Sequence, residues 1–487
     1  MKAESMFYLE KFDKARVAYE ELRKLDSRYK TAIYRLEICS LLTVSPNKST
    51  KMLEGYSGTQ GRRDKFYNYW MALIYFNQGR NLEAIHACER FFVVNQYKTK
   101  EIRTEIKDLL KMAELRHSYF QRPLEYKVVH VSGKLNSGHN EYSPVFSESR
   151  QSMLFLSSHQ RINFKTKTEK FHVFEAEKID GEWHTPRMIH HLHTFSPVNI
   201  SINLIHDLEK LYVYTDKEEG HMQYSEFQGH TWSAPQGDEF NLDLSDLTAH
   251  FFINEQENLI LFSKPVQTTD GVKHLDIFQS NRDSLSGQWI YPKNISKAIN
   301  SDKDEDFPFL SSDGKTLYFS SKGHSSIGGY DIFKSEFEPA TQSWSAPIAL
   351  RNPINSTEDD IQYKLNENLI SGYYVSNRKE SKGGFDIYYA LELNSALVEG
   401  VVTDSEDKAV RGAKIVLNST QDEKVFIDAI TDENGKYKLK ANADDEFSVE
   451  IWLAGERVHK NTLAVPADTD NTLALVSNYQ IELTPEN

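Results

Sequence analysis

Three histidines, His190, His191 and His193, form the densest group of potential transition-metal ligands in the sequence. On a β-strand, side chains two residues apart lie on the same face, so His191 and His193 would present their imidazoles together. A metal centre needs further ligands, and no carboxylate or cysteine lies close in the sequence, although distant segments can supply one. We therefore expect no metal here and interpret the three histidines as an exposed connection between two sheets.

Asp302, Asp304 and Asp306 have the alternating spacing that opens a calcium-binding loop. Such a loop requires glycine at its sharp turn, where this sequence has Phe307. A similar acidic group, residues 358–360, stands at the equivalent place in a later repeat. Turn formation and backbone capping are therefore favoured over calcium binding, and we expect no metal ion and no cofactor.

The sequence offers little for nucleophilic or phosphate chemistry. Ser57 lies between Gly55 and Gly58, but this spacing is not that of the strand-to-helix nucleophile elbow. Glycine pairs at 328–329 and 383–384 recur at equivalent places, which indicates turn architecture rather than a phosphate-binding loop. Acidic residues are plentiful, yet none is singled out as the carboxylate pair of a glycosidase. We therefore predict no catalytic residue and a protein that is not an enzyme.

Composition narrows the class of protein. The 487 residues predict about three domains, and an aromatic content of 12% is too high for a disordered chain. A net charge of −14 argues against nucleic acid as a partner. The longest apolar run, residues 69–76, is far shorter than the roughly 20 residues of a membrane-spanning helix. Cys39 and Cys88 lack metal or disulfide spacing, so we expect two buried thiols.

Residues 1–122 have the apolar periodicity of helices. Ala15 and Ala84 occupy matching places 69 residues apart, close to twice a 34-residue period. Small residues such as Ala72 and Ala84 let paired helices approach closely. This region resembles tetratricopeptide repeats, which implies stacked helical hairpins. Because Met1 falls inside the first helix of the first repeat, we expect that helix to be truncated.

Residues 123–394 have the texture of short strands and frequent turns. Trp183, Trp232, Trp289 and Trp344 recur at spacings of about 50 residues, each after a turn. An Asp-Ile segment at 331–332 and again at 386–387 precedes the tryptophan position. Each unit predicts four strands, and we count five units, beginning near residues 142, 196, 250, 306 and 360. The predicted architecture is therefore a five-bladed β-propeller.

The last unit lacks its tryptophan strand, and a strand-like segment, residues 126–132, precedes the first unit. We predict that this segment completes the last blade, because closure of the ring removes its open edges. The motifs Asp313-Gly-Lys, Leu317-Tyr-Phe-Ser-Ser and Gly328-Gly-Tyr-Asp-Ile resemble the WD40-like repeats of the TolB propeller.

Residues 395–487 alternate in hydropathy and contain the turn sequence Asp432-Glu-Asn-Gly435, which predicts an antiparallel β-sandwich. The order Gly-x-Val-x-Asp, Gly-Ala-x-Ile-x-Leu and Thr-Asp-x-x-Gly-x-Tyr-x-Leu resembles the carboxypeptidase regulatory-like domain of transthyretin type. The predicted fold class is multidomain, α plus all-β.

In this order, the three modules resemble periplasmic proteins of Bacteroidetes that also carry an outer-membrane protein A-like domain. That domain binds peptidoglycan in the family, and some members belong to the type IX secretion and gliding apparatus. It is missing here, so we expect a trimmed chain or a member without the anchor. The resemblance implies a non-enzymatic periplasmic scaffold, associated with the outer membrane, whose partners are other envelope or secretion-system proteins.

Two surfaces are candidate partner-binding sites under this interpretation. One is a helical groove with Asn68, Tyr75 and Phe76, although Tyr75 and Phe76 also suit the core between helices. The other consists of the propeller loops that contain Lys322 and Arg378. The alternative function is a carbohydrate-binding or carbohydrate-active propeller, with acids or histidines converging on its central channel or aromatic platforms on one face.

Overall fold

A computed structural model gives the structure of the chain in two compact units, Met1–Pro123 and Leu124–Asn487. No helix in the described part is both long and apolar enough to cross a bilayer. The structure describes residues 2–45, 48–56, 64–94, 100–121, 123–158, 171–194, 202–205, 209–215, 221–237, 250–268, 271–420, 426–466 and 475–482.

The first unit is helical, and its core is rich in aromatic rings. Phe7 packs edge-on against Trp70 with ring centroids 4.8 Å apart, and the Arg35 guanidinium lies 4.2 Å from the centre of the Phe7 ring. Arg35 is balanced by Asp64, whose carboxylate is 2.8 Å away. Both cysteines are buried free thiols, as predicted. The described helices are α1 (Lys2–Tyr8), α2 (Phe12–Leu25), α3 (Lys30–Leu42), α4 (Lys51–Gly55), α5 (Tyr67–Asn77), α6 (Asn81–Val94) and α7 (Lys100–Gln121).

The second unit begins with five antiparallel sheets that follow one another along the chain, which confirms a β-propeller. In each sheet, the strand that begins the repeat is the inner strand, because residues from all five of these strands line one cavity. Their strands are β1 (Tyr126–His130), β2 (Glu141–Ser147), β3 (Ser152–Ser157), β4 (Phe171–Ile179), β5 (Glu182–Trp183), β6 (Arg187–Thr194), β7 (Ile202–Ile205), β8 (Lys210–Thr215), β9 (His221–Glu226), β10 (Gln236–Gly237), β11 (Phe251–Ile253), β12 (Leu259–Gln267), β13 (Lys273–Asn281), β14 (Lys293–Asn294), β15 (Glu305–Leu310), β16 (Thr316–Ser321), β17 (Asp331–Glu338), β18 (Ser343–Trp344), β19 (Ile348–Ala349), β20 (Asp360–Leu365), β21 (Ser371–Ser376) and β22 (Asp386–Glu392).

The ring closes through its N-terminal strand. β1 pairs antiparallel with β22, and Val129 lies opposite Tyr389 in the register. The fifth sheet is therefore ordered β1-β22-β21-β20, with its outer strand drawn from the start of the unit. This confirms the closure that the sequence predicted.

Buried asparagines join successive sheets and explain one repeated motif. Asn355 precedes β20, and its amide accepts a hydrogen bond from the Ile332 N–H at 2.8 Å and donates one to the Ile332 carbonyl at 2.9 Å. Asn136 makes the same pair of bonds to Ile387 at 2.7 and 2.8 Å. Since the isoleucine is that of the Asp-Ile motif, the Asn-Ser and Asp-Ile repeats are two halves of one contact between sheets.

After β22 the chain forms two further sheets around a separate apolar core that includes Val398, Leu417 and Phe447. Lys440 forms an ion pair with Glu392 of β22, so this sandwich contacts the fifth propeller sheet. One sheet is ordered β26-β23-β29, with β30 also paired to β23, and the other β25-β24-β27-β28. Their strands are β23 (Ser395–Asp404), β24 (Lys414–Ser419), β25 (Phe426–Ile430), β26 (Lys436–Asn442), β27 (Asp445–Leu453), β28 (Glu456–Val465), β29 (Leu475–Val476) and β30 (Tyr479–Ile481).

Candidate functional site

A cavity of about 190 Å³ lies at the carboxyl ends of the five inner strands, β2, β7, β11, β15 and β20. Strand ends from all five sheets contribute to its wall, so it occupies one end of the central channel. Its lining residues are Pro144, Val145, Phe146, Ser147, Asn203, Leu204, Phe252, Ile253, Asn254, Glu255, Gln256, Phe309, Leu310, Ser311, Ser312, Gly314, Lys364, Leu365, Asn366, Glu367, Leu369 and Tyr373.

One register position supplies a wall residue from every sheet. These residues are Val145, Asn203, Phe252, Phe309 and Lys364, and each is paired with the residue nine positions later on the second strand. The hairpins therefore have a common register, and the side chain at this position decides what that part of the cavity presents to a ligand.

Aromatic rings form two pairs in the wall. Phe252 and Phe309 meet edge to face with ring centroids 5.4 Å apart, and both are half-buried. Phe146 and Tyr373 lie 5.4 Å apart between the first and fifth sheets. Aromatic pairs hold each other in place, so these rings offer fixed apolar surfaces.

Amides and hydroxyls follow the aromatic positions. Ser147, Asn254, Ser311 and Asn366 each stand at the start of the turn that follows an inner strand, and all four line the cavity. The Ser311 hydroxyl and the Asn366 amide also donate to Asp313 and Ser371 in their own turns, at 2.5 and 2.8 Å. The turn chemistry that ends each strand thus places hydrogen-bonding groups around the cavity mouth.

Lys364 extends across the channel. Its Nζ donates a hydrogen bond of 3.0 Å to the carbonyl of Ile202 on β7, two sheets away around the ring. It lines both the cavity and a narrower space of about 10 Å³ that includes Ser143, Phe307 and Gln362. Burial lowers the pKa of the Lys364 ammonium to about 7.

Three glutamates occupy the turns around the mouth. Glu255 and Glu367 line the cavity, and Glu148 occupies the corresponding turn of the first sheet. The Glu148 carboxylate accepts a hydrogen bond of 3.2 Å from the backbone N–H of Asn368. Burial raises the pKa of Glu148, and the charge of Glu367 acts in the same direction. Glu367 in turn lies 3.8 Å from Nζ of Lys438 in the sandwich.

At the opposite end of the inner strands, two buried carboxylates accept hydrogen bonds from serine hydroxyls. Glu305 accepts hydrogen bonds from the hydroxyls of Ser301 and Ser321 at 2.7 and 2.6 Å. Glu141 is bonded in the same way to Ser137 and Ser157, and burial raises its pKa to about 7. Serine hydroxyls thus satisfy the buried acids at the start of the inner strands, and we assign these acids no chemistry.

The aspartates at 302, 304 and 306 do not converge on a common point. Asp304 accepts hydrogen bonds from the backbone N–H of Leu275 at 3.0 Å and from Lys322 Nζ at 2.8 Å. Asp306 lies 2.8 Å from the His250 ring nitrogen. Within the described ranges, no group of three or more His, Cys, Asp or Glu residues is arranged to hold a metal ion. The acids join strands, which agrees with the turn-and-capping interpretation.

The predicted propeller residues lie at the end of the channel that is remote from the cavity. Lys322 pairs with Asp304, and its Nζ lies 4.4 Å from the centre of the Tyr330 ring. Arg378 is mostly buried, and it bonds to the Asp360 carboxylate at 2.6 Å and the Pro353 carbonyl at 3.0 Å. Both follow the second strand of a sheet, so neither lines the cavity. Their role in partner binding stays a prediction.

The predicted groove residues lie on α5 of the helical unit. Asn68 is half-buried. Tyr75 is buried, donates a hydrogen bond of 3.0 Å to Glu54, and lies under the Arg80 guanidinium. The Phe76 ring is covered by Arg116 at 3.9 Å. Intramolecular packing therefore uses Tyr75 and Phe76, and their part in a partner groove also stays a prediction.

Two of the sequence motifs are only partly described. His190 and His191 are exposed on β6, whereas the side chain of His193 lies outside the described residues. Ser57 and Gly58 of the glycine-serine segment lie outside them as well.

The cavity residues were missed in the sequence because they come from five distant segments. A signal was nevertheless present in the repeat. Aligning the fourth and fifth units on Ser321 and Ser376, the last serines of their second strands, places Phe309 and Lys364 at the same position. The other units have an apolar or amide side chain at this position, so the lysine of the fifth unit departs from the repeat.

No protein-family model matches the chain, and no curated protein matches it. Among solved structures, a GH43_12 retrieved from the capybara gut metagenome has 11% identity and a TM-score of 0.36, over 72% of this chain and 93% of that one. The catalytic domain of the Coprinopsis cinerea GH62 α-L-arabinofuranosidase has 8% identity and a TM-score of 0.34, over 56% and 98%. The putative TolB from Agrobacterium tumefaciens has 11% identity and a TM-score of 0.30, over 55% and 90%. At these identities the likeness concerns the fold, which is that of a propeller.

These comparisons correct the predicted function. The sequence predicted a non-enzymatic scaffold, whereas the similar solved structures include several GH43 and GH62 glycoside hydrolases. The predictions of a non-enzymatic scaffold and of a protein that is not an enzyme are therefore corrected and are not proposed again, while the likeness itself assigns this chain no activity. The error has a physical origin: a propeller carries binding and catalytic sites equally well, so its architecture alone does not exclude an enzyme.

Proposed function

We propose that the propeller binds a carbohydrate in the channel cavity. The observation that carries this proposal is the composition of the wall, where the paired rings of Phe252 and Phe309 lie in one cavity with the Asn366 amide and the Lys364 ammonium. The side chains of Asn254 and Ser311 also line the cavity but are hydrogen-bonded within their own turns. A sugar ring has apolar C–H patches and a rim of hydroxyls. Aromatic faces cover the former, and amides both donate to and accept from the latter.

The size of the cavity limits the ligand. A volume of about 190 Å³ is below the roughly 300–1,000 Å³ typical of sites for drug-sized molecules. We infer that the cavity holds one sugar unit, and that the rest of an oligosaccharide extends over the turns at its mouth. Glu255 and Gln256 are exposed on one of these turns.

Titration calorimetry with a panel of soluble oligosaccharides tests the proposal. We expect at least one member to bind, and Phe309→Ala to weaken that binding about tenfold, since an aromatic contact contributes about 0.5–1.5 kcal/mol beyond its burial. Tyr291→Ala is the matched control, because Tyr291 is 87% exposed and does not line the cavity. Absence of binding across the panel, or equal binding by Phe309→Ala, would contradict the proposal.

Glycoside hydrolysis is a second candidate function, and the carboxylates at the mouth favour it. Glu148 has a raised pKa, so it suits a proton donor, and Glu367 is a second carboxylate at the adjoining turn. Two carboxyl groups with different environments are what general acid and base roles require. We expect Glu148→Gln and Glu367→Gln each to reduce release of reducing sugar at least 100-fold. Glu358→Gln, exposed at the other end of the channel, is the control.

We further propose the finer assignments that the sequence suggested for the flanking modules. The helical unit is of tetratricopeptide type, supported by the fully buried Ala72 and Ala84 on adjoining helices and by Gly79, at φ 71°, between them. The sandwich is of the carboxypeptidase regulatory-like, transthyretin type, supported by its two sheets. Unfolding of each module expressed alone tests whether it is an independent domain.

We also propose that the chain belongs to the outer-membrane protein A family of the bacterial periplasm, with envelope or secretion-system proteins as partners. The order of the three modules supports this, and the absence of a matching family model leaves it as a proposal. Fractionation of the native organism with an antibody against the chain tests the location, and recovery with cytosolic markers would contradict it.

A further inference from the structure

Lys364 is an unusual group to find at the floor of a cavity lined by aromatic rings. An ammonium has three N–H donors, and the Ile202 carbonyl accepts one of them. Among the residues that the structure describes, no other acceptor lies within hydrogen-bond distance, and no carboxylate forms an ion pair with Lys364. Two donors therefore remain for a ligand in the spaces that Lys364 lines.

A charge in this position is costly without a counter-ion. Removing an ammonium from water is unfavourable unless an opposite charge and hydrogen bonds compensate. Burial lowers the pKa of Lys364, and none of the carboxylates in the described ranges offsets this cost. An anionic group on a ligand would supply both a counter-charge and acceptors for the free donors.

The other titratable groups around Lys364 do not supply this counter-charge among the described residues. Glu255 and Glu367 line the same cavity but are exposed on the turns at its mouth, and Glu367 faces Lys438. Tyr373 lines the cavity and Tyr363 the narrower space, and burial raises the pKa of both phenols, so they stay neutral. Among the described residues that line the cavity, Lys364 is the one lysine or arginine, so it is the cation available to a ligand packed against Phe252 and Phe309.

We propose that the cavity selects a sugar carrying an anionic group, a uronic acid carboxylate or a sulfate ester, which is held by the Lys364 ammonium. This inference rests on the proposed carbohydrate function and specifies its substrate class. It predicts that ligand binding at slightly alkaline pH is accompanied by proton uptake, because the anion favours the charged lysine. Affinity for the anionic sugar then falls as the pH rises above about 7, up to tenfold per pH unit.

The decisive experiment compares each anionic sugar with a neutral counterpart in which the anionic group is esterified or absent. Trigalacturonate is titrated against its fully methyl-esterified form, and neocarrabiose 4-sulfate against neocarrabiose. We expect an anionic member to bind about 10- to 100-fold more tightly than its neutral partner, as a charge-assisted hydrogen bond provides. The first pair reports a uronic acid and the second a sulfate ester. Calorimetric titrations in two buffers of different ionisation enthalpy measure the proton uptake from the difference between the two binding enthalpies.

Two variants test whether the preference for the anionic sugar depends on Lys364. Lys364→Met keeps the length of the side chain without its charge and is expected to lose the preference for the anionic partner while still binding the neutral one. Lys322→Met, at the other end of the channel, is the matched control and should bind like the natural chain. Equal binding of charged and neutral partners would overturn the inference and leave the carbohydrate proposal intact. Failure of every sugar to bind would overturn both, and thermal unfolding of Lys364→Met confirms that it is folded.

Discussion

Lys364 on the fifth propeller sheet donates a hydrogen bond of 3.0 Å across the central channel to the carbonyl of Ile202 on the second sheet. The two strands are not neighbours in the ring, so this contact spans the channel rather than joining adjoining blades. It separates the cavity at the carboxyl ends of the inner strands from the narrower space beyond it. Lys364 and Phe309 line both spaces and therefore lie where the proposed carbohydrate site meets the narrower one.

The buried ammonium predicts a specific pH dependence of stability. The pKa of Lys364 is lowered from 10.5 to about 7 on folding, so the unfolded chain binds the proton more tightly between these values. The free energy of unfolding should then rise with pH across this window as far as this group is concerned. Lys364→Met removes the slope, and we expect it to be more stable by on the order of 2 kcal/mol near pH 6. Urea unfolding at several pH values measures both. A stability difference between variant and natural chain that does not shrink as pH rises would contradict this account.

Glu141 predicts a dependence of the opposite sign. Burial raises the pKa of its carboxyl from 4.5 to about 7, so the folded state binds the proton more tightly than the unfolded chain in this range. Stability from this group is present below about pH 4.5 and is lost as the pH rises towards 7, by about 3 kcal/mol at most. Glu141→Gln should therefore gain stability relative to the natural chain between these values, with Ser137 and Ser157 still able to bond the amide. Chemical denaturation at pH 5 and pH 8 provides the test, and a difference independent of pH would refute it.

The asparagine contact between sheets predicts a large loss on truncation. Asn355→Ala leaves the buried N–H of Ile332 without its partner, whereas the Ile332 carbonyl still accepts a hydrogen bond of 2.9 Å from the Leu350 N–H. We expect the free energy of unfolding to fall by about 1–3 kcal/mol, because an unsatisfied buried group costs about that much. Asn434→Ala, in an exposed turn of the sandwich, should change stability by less than about 0.5 kcal/mol. Equal effects of the two substitutions would show that the contact is unimportant.

Ring closure can be tested with two adjacent proline substitutions. The bonds from Leu393 N–H to the Glu125 carbonyl and from Val131 N–H to the Ile387 carbonyl fix the alternation along β1. By this alternation the Val129 N–H faces β22 and the Val128 N–H faces away. Val129→Pro should therefore destabilise the propeller by about 1–3 kcal/mol and increase proteolysis, whereas Val128→Pro should do so less. If Val128→Pro is the more damaging of the two, the register of closure is wrong.

Much of the fold could be predicted because its determinants repeat along the chain. The Asp-Ile pair at 386–387 and the Asn-Ser pair at 136–137 are separated by 250 residues, yet each matches copies elsewhere, and this was enough to predict closure of the ring. The structure shows why the copies persist, since Asn136 bonds to the backbone of Ile387. The repeated residues are those that form contacts between sheets, such as the asparagine contact that recurs at Asn136, Asn300 and Asn355.

The candidate site could not be predicted in the same way because it consists of the positions where the blades differ. Lys364, Asn203 and Phe309 occupy one register position, and their proximity depends on closure of the ring. The repeat also directed attention to the conspicuous loops of Lys322 and Arg378, which lie at the other end of the channel. A site built from departures from a repeat becomes visible only when the blades are superposed in space.

The central claim is that the channel cavity holds a sugar, and a crystal structure of the chain soaked with the oligosaccharide that binds best tests it most directly. We expect one sugar unit packed against Phe252 and Phe309, with its polar groups on Asn366 or Lys364. A sugar bound elsewhere on the propeller or on the sandwich, with the channel cavity holding solvent alone, would contradict it.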